Sequence, residues 1–493
     1  MSLSVGRYTN AVFEQLFRNQ AHMTLDSSLI GIACFLVFLL MAALMYTRHL
    51  STLLALPIMA VAIAVIAQVP AKDILAEIIN QGALKYGDVI ITAMFGAVLA
   101  ELINQQGIAK SLVRWVAEFG GDNPFMLGIL LTLVTAILFS TLGGLGAVIM
   151  VGTIVLPVML SLGISAVTAA GLLLFGISFG GMFNLTNWQL YINTLGLTRQ
   201  DMMAFLLPFS AVVALGIMTF LFVQLGARHI KSALATVFVL LIGYGVLYLQ
   251  MSSVKEKEVL TATPESIVAA IVLLVLLIAY ALWRHLKRID TLPSLALLTP
   301  VMPLLLVLVC HWEFIPAFVA GITFGVFICW QHGSVNTLTK SIIEGIAQVV
   351  PAIVLIIGLG MLVKSVMHPN VSQAMAPLLQ MSVPSHALSY VIGFTIFAPL
   401  CLYRGPLNMW GMGAGLLSLI SKVNILSSKA ILGMVWSVGQ IQGICDPANT
   451  QNLWVANYLA IDTQTILKNT LPYAWTLAFL GLCLAVAFGY VSF

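Results

Sequence analysis

Long apolar stretches separated by short polar connections dominate this chain, recurring from Ser28 to Tyr46, from Met202 to Gln224 and on to the stretch from Thr470 to Tyr490. Each suits a bilayer-crossing helix, which takes about 20 mostly apolar residues. The alternating segments of roughly ten residues that build a membrane β-barrel are missing, so helices are the way left to satisfy every backbone group in lipid. The pattern predicts an all-α integral membrane protein with about 12 spans and two re-entrant hairpins.

The apolar pattern also repeats at a constant shift of 264 residues. Phe95-Gly96-Ala97-Val98-Leu99 lies over Leu359-Gly360-Met361-Leu362-Val363, and Asn193-Thr194-Leu195 lies over Asn457-Tyr458-Leu459. The units run from 28 to 229 and from 292 to 493, after an N-terminal interfacial segment, 1–27. Between them, 230–291 reads as a two-helix linker, with apolar runs from Leu234 to Gln250 and from Ile267 to Trp283 around a polar loop. In the first unit, 28–107 reads as scaffold and 121–200 as hairpin plus broken helix. In the second, 292–366 and 385–465 take the same parts. Five spans per unit and a two-span linker make an odd number, so the repeat is expected to be inverted in the membrane. The segment from Ile108 to Phe119, with Lys110, Arg114 and Glu118, reads as a helix lying in the interface.

Four stretches put polar or helix-breaking residues into apolar surroundings, and the repeat pairs them. Two are hairpin tips, Ser140-Thr141-Leu142-Gly143-Gly144 and Arg404-Gly405-Pro406-Leu407-Asn408. Two are interrupted helices, Gly180-Gly181-Met182-Phe183-Asn184-Leu185-Thr186-Asn187 and Cys445-Asp446-Pro447-Ala448-Asn449-Thr450-Gln451-Asn452. Glycine pairs weaken a helix through backbone entropy, and an Asp-Pro step breaks it by a missing donor and a ring clash. A break frees helix N-termini for an anion, and carbonyls with Asn or Thr oxygens for a small cation. Tips and breaks meeting near the midplane would form one site. The bland counterpart is a set of kinks packed on neighbouring helices through glycine and serine.

Composition bears on the class of function. The chain is 61% hydrophobic and only 8% charged, with a mean hydropathy of +1.07. Its net charge of +4 comes from connections such as Arg228-His229 and Arg284-His285, a topology signal rather than a nucleic-acid surface. The slight excess of Lys and Arg on the face of Arg48, Arg228 and Arg284 puts that face in the cytoplasm and both termini outside. Cys34, Cys310, Cys329, Cys401, Cys445 and Cys483 lie in or beside apolar segments without metal-ligand spacing. Neither a catalytic constellation nor a nucleotide-binding loop is visible, so neither an enzyme nor an ATP-driven pump is expected, and no cofactor.

Arg404 at the second tip is the best candidate ligand for a carboxylate, because its planar fork suits bidentate binding; snorkelling, or pairing with Asp446, is the plainer alternative. Asp446 could take up a proton or sodium ion, or cap the half-helix after Pro447. Glu101 and Lys364 read as charges at helix ends reaching headgroups. Trp188 and Trp454 read as packing residues, and His311 and Glu313 as surface residues.

A re-entrant hairpin followed by a broken helix with Asn and Thr, set in an inverted repeat, resembles the ion transporter superfamily. That group includes citrate transporters, divalent-anion/sodium symporters, gluconate permeases and C4-dicarboxylate carriers. Gly121-Asp122-Asn123-Pro124 through Asn184-Leu185-Thr186-Asn187-Trp188 is similar to the citrate-transporter pattern, and Ala448-Asn449-Thr450 to the Asn-Thr element of the divalent-anion symporters. The resemblance implies a dimeric scaffold with an elevator-like transport domain. It implies ion and carboxylate ligands at Ser140, Thr141, Asn184, Thr186, Asn187, Asn408, Asn449, Thr450 and Asn452, and sodium at the breaks 180–187 and 445–452. Neither tip carries the symporters' Ser-Asn-Thr signature, so sodium and proton both stay open. The function expected is secondary transport of a small organic anion, a carboxylate, across the inner membrane by a homodimer. The runner-up is a cation/proton antiporter using Asp446 and Glu101.

Overall fold

The computed structural model describes residues 27–47, 49–225, 264–288, 291–384 and 386–491. The expected N-terminal interfacial segment and the first linker helix, with Arg48 and Arg228, lie outside these residues. The described residues are all-helical, without a strand. They hold seven helices long and apolar enough to cross a membrane, or up to eight if a bent pair counts as one span. With this composition, the chain is a multi-pass membrane protein.

In the first unit α1 is Ser27–Tyr46, α2 Thr52–Ile66, α3 Gly87–Gln105, α4 Ile108–Gly120, α5 Pro124–Phe139, α6 Gly144–Ser161, α7 Ala166–Met182, α8 Leu185–Leu195 and α9 Arg199–Leu225. Pro264–Lys287 is α10, in the linker. In the second unit α11 is Met302–Val309, α12 Phe314–Ile328, α13 Ser334–Met367, α14 Pro369–Ser382, α15 Ala387–Phe397, α16 Gly413–Lys422, α17 Ser428–Cys445, α18 Thr450–Tyr458 and α19 Thr463–Ala487. From α2 onward, each first-unit helix has a partner within a few residues of the 264 shift, α2 with α12 through to α9 with α19. The units differ before α3, where a π-helical stretch, Ile74–Gln81, and a turn at Lys85-Tyr86 stand opposite the unbroken α13.

Local chemistry sets many of these ends. Asn123 caps α5, its Oδ1 accepting from the Phe125 and Met126 amides, with Pro124 at the first helical position where no N–H is missed. Ser165 caps α7 and Ser427 caps α17. Gly107 and Gly196 end α3 and α8 in the left-handed conformation. The helix α4 buries Ile108, Leu112, Val113 and Val116 and exposes Trp115 and Phe119. Those exposed rings suit a headgroup layer.

Two groups of helices pack around the centre. One combines α1, α2, α3 and α13, and the other α5, α7, α9, α17 and α19. Without a hydrophobic force between helices in lipid, close approach of small residues supplies the packing. A Cβ on Gly345 of α13 would lie 2.7 Å from the Ala97 carbonyl of α3, and one on Gly180 of α7 would lie 2.3 Å from the Ala136 carbonyl of α5. Gly180 and Gly181 were expected to interrupt their helix through backbone freedom. Instead both are helical, and Gly180 serves close packing. The interruption follows at Phe183, where α7 and α8 meet at 52°.

Candidate functional site

Both tips and both breaks line one cavity of about 630 Å³. Thr141 through Leu145 come from the first tip and Tyr403, Arg404 and Leu407 through Trp410 from the second. Gly181, Asn184, Thr186 and Asn187 come from the first break and Ala448 through Gln451 from the second. The helices leading into the breaks touch: Ser178 of α7 donates to Gln440 Oε1 of α17 at 2.9 Å. A Cβ on Gly443 would lie 2.7 Å from Ser178 Oγ, so glycine permits this approach. Gln348 and Pro351 of α13 close another side.

The expected site residues fall into two groups. Six are committed to the framework. Ser140 donates to the Ile137 carbonyl and Thr141 to the Pro300 carbonyl, at 2.7 Å each. Asn187 donates to the Gly181 carbonyl, and Asn452 to the Ile444 carbonyl. Asn408 donates to the Cys401 carbonyl and accepts from the Trp410 amide. Asn184 does most: its Nδ2 donates to the carbonyls of Phe139 and Leu142 at the first tip, while its Oδ1 accepts from the Thr186 and Asn187 amides and caps α8. Ser140 and Asn452 lie behind the lining rather than in it. So much carbonyl is taken up by Asn187, Trp188, Gln451 and Asn452 that the breaks leave less bare backbone than the sequence implied.

The second group stays open. The side chains of Thr186, Asn449 and Thr450 line the cavity and make no hydrogen bond to protein among the described residues. Arg404 also lines it, and is the only charged residue to do so among the described residues. Its Nη1 donates to the Trp410 carbonyl at 2.7 Å, which leaves most of its five N–H donors for a ligand. No ion pair joins it to Asp446 among the described residues.

Asp446 is 2% exposed and outside the lining. Its Oδ2 accepts from the Tyr403 amide at 3.0 Å and its Oδ1 from the Ala448 amide at 2.9 Å. Glu101 departs from the sequence reading. Far from reaching headgroups, it is 4% exposed and accepts from Asn104, Gln105 and Gln348, the last at 2.9 Å. Lys364 is half-buried and donates to Gln81. Trp188 packs with its Nε1 on the Met182 carbonyl, and Trp454 lies across Gly152 of α6. Gln348, Tyr191, Trp436 and Gln440 of the lining went unnoticed in the sequence. Tyr191 and Trp436 stack at 4.7 Å, one from each unit.

No protein-family model and no curated protein matches the sequence. Among solved structures, the chain has the fold of the Alcanivorax borkumensis YdaH transporter, whose crystal structure shows an unusual topology. The two are 15% identical with a TM-score of 0.51, over 86% of this chain and 90% of that one. The Neisseria gonorrhoeae MtrF structure, from a class of antimetabolite efflux pumps, aligns at 13% identity and a TM-score of 0.41, over 86% and 84%. At such identity the likeness to YdaH establishes a fold and no more.

Proposed function

We propose that this protein is a secondary active transporter of a small organic anion, a carboxylate, driven by a sodium or proton gradient. The observation that carries the reading is a cavity at the meeting of four interrupted elements whose one charged lining residue, among those described, is Arg404. A carboxylate fits a guanidinium fork better than any neutral group does. Thr186, Asn449 and Thr450 supply further polar contacts, and Asn449 and Thr450 a place for a coupling cation. Membership in the ion transporter superfamily, the inverted repeat with about 12 spans, elevator movement, a homodimer and the inner membrane belong to the same proposal. The two helix groups around the cavity and the YdaH fold support it.

Purified protein in liposomes should accumulate at least one of acetate, succinate or citrate under an imposed sodium or proton gradient. Arg404→Ala should lower uptake at limiting substrate by about 30-fold or more, the cost of removing a charged ligand from the cavity. If none of the three accumulates under either gradient, the reading fails.

A second reading rests on Glu101, a buried carboxylate bonded to neutral amides. In a cation/proton antiporter it would be an exchanging group. Sodium would then dissipate a proton gradient with no anion present, and Glu101→Gln would abolish that; no effect of sodium would exclude it.

A further inference from the structure

The second tip is strained. Tyr403 and Arg404 both take left-handed backbone, at φ 54° and 60°, and neither is a glycine. Bulky L-residues reach that region only where the surroundings impose it. Here the surroundings are specific. Gly405 donates to the Leu402 carbonyl and Met412 to the Arg404 carbonyl, closing the loop. The Tyr403 ring sits edge-on to Tyr46 at 4.8 Å. A Cβ on Gly411 would lie 2.3 Å from the Arg404 carbonyl, so the chain folds back tightly on itself. The turned Tyr403 peptide points its N–H away from the loop, and Asp446 receives it.

The first unit has a matching device of opposite polarity. Phe139 is the repeat counterpart of Tyr403, and its carbonyl faces the first break, where Asn184 donates to it at 3.1 Å. Each break thus fastens its own tip with one side chain that also binds its own backbone: Asn184 caps α8, and Asp446 accepts from the Ala448 amide in the turn before α18. The first tip presents carbonyls and needs an amide. The second presents an N–H and needs an acceptor, and a carboxylate is an acceptor with no donor to misplace. This accounts for the charge at 446 without an ion. Both carboxylate oxygens are occupied, and the group lies outside the cavity lining.

We infer that Asp446 is a positioning residue: it holds the second tip in the left-handed conformation that presents Arg404 to the cavity, and it does not carry the coupling ion. The inference rests on the transport reading for its functional half and on the tip geometry for its structural half. The experiment separates them. Asp446→Asn puts a donor against one of the two amides, while Tyr403→Gly lets the tip turn left-handed without strain.

Two measurements are made on the full-length protein, namely detergent thermal unfolding, and succinate and citrate uptake by proteoliposomes under sodium and proton gradients. Asp446→Asn is expected to lower the melting temperature and raise the KM for uptake about tenfold, with Vmax changed less than about twofold. Set against Tyr403→Gly alone, which also loses the ring contact with Tyr46, Asp446→Asn should cost less in melting temperature and KM in the Tyr403→Gly background than in the wild type. Equal costs of Asp446→Asn in the two backgrounds overturn the inference. So does an Asp446→Asn variant that keeps its KM for downhill exchange but no longer responds to either gradient, since Asp446 would then be the ion carrier. If wild-type protein moves neither anion, the transport reading falls for these substrates, and the melting temperatures still decide the role of Asp446.

Discussion

The two halves of the site share one plan and differ in chemistry. In the first unit the tip is short, its Gly143, Gly144 and Leu145 are exposed, and the break is fastened by neutral Asn184. In the second, a 3-10 stretch from Ala398 kinks at Leu402 and Tyr403 into a longer tip, strained at Tyr403 and Arg404 and fastened by Asp446. The cavity's cation and the carboxylate beneath it therefore both belong to the second copy, and their register counterparts are Ser140 and Met182. Elements in register at the 264 shift thus keep the same breaks while their polar side chains differ.

Substitutions in the two units should have unequal effects. The largest effect is expected for Arg404→Ala, with uptake lowered about 30-fold or more, set against Ser140→Ala, which removes a hydroxyl bonded only to its own helix and should change uptake little. Equal losses would erase the asymmetry. Next is Asn184→Leu, which deletes bonds to two tip carbonyls and the cap of α8; it should cost about 2 kcal/mol of stability. Chemical or thermal denaturation would show it, and an unchanged transition would mean that the first tip is held otherwise. Gly180→Ala should cost about 1 to 3 kcal/mol because its Cβ meets the Ala136 carbonyl, whereas Gly181→Ala, with only Asn187 Nδ2 at 3.7 Å, should be tolerated. Smallest are Thr186→Val and Asn449→Ala, expected to weaken apparent affinity about threefold with stability intact, since neither side chain bonds to the framework.

Much of this was legible in the sequence because membrane helices impose coarse, additive signals. Apolar length marks spans, a 264-residue shift marks the repeat, and polar residues inside apolar runs mark the cavity; all four predicted stretches do line it. What was illegible is direction. From the sequence Asn184 and Asn449 look alike, yet one is spent on carbonyls two helices away and the other faces the cavity. Glu101 looked like a helix-end charge because Gln348, which covers it, is 247 residues distant. Gly180 looked like a breaker because its contact with Ala136 is tertiary. Tyr191 and Trp436 escaped notice because an aromatic in an apolar run carries no local mark of facing a cavity.

Whether Arg404 receives the anion is decided by ligand-dependent thermal stability of purified protein across acetate, succinate and citrate, with sodium present or absent. A ligand that binds the folded state at about 100 times its Kd stabilises it by roughly 2.7 kcal/mol. At least one carboxylate is expected to raise the melting temperature of the wild type, and Arg404→Ala, folded and with a normal baseline transition, is expected to lose that rise. An equal rise in the Arg404→Ala variant would contradict that role for Arg404.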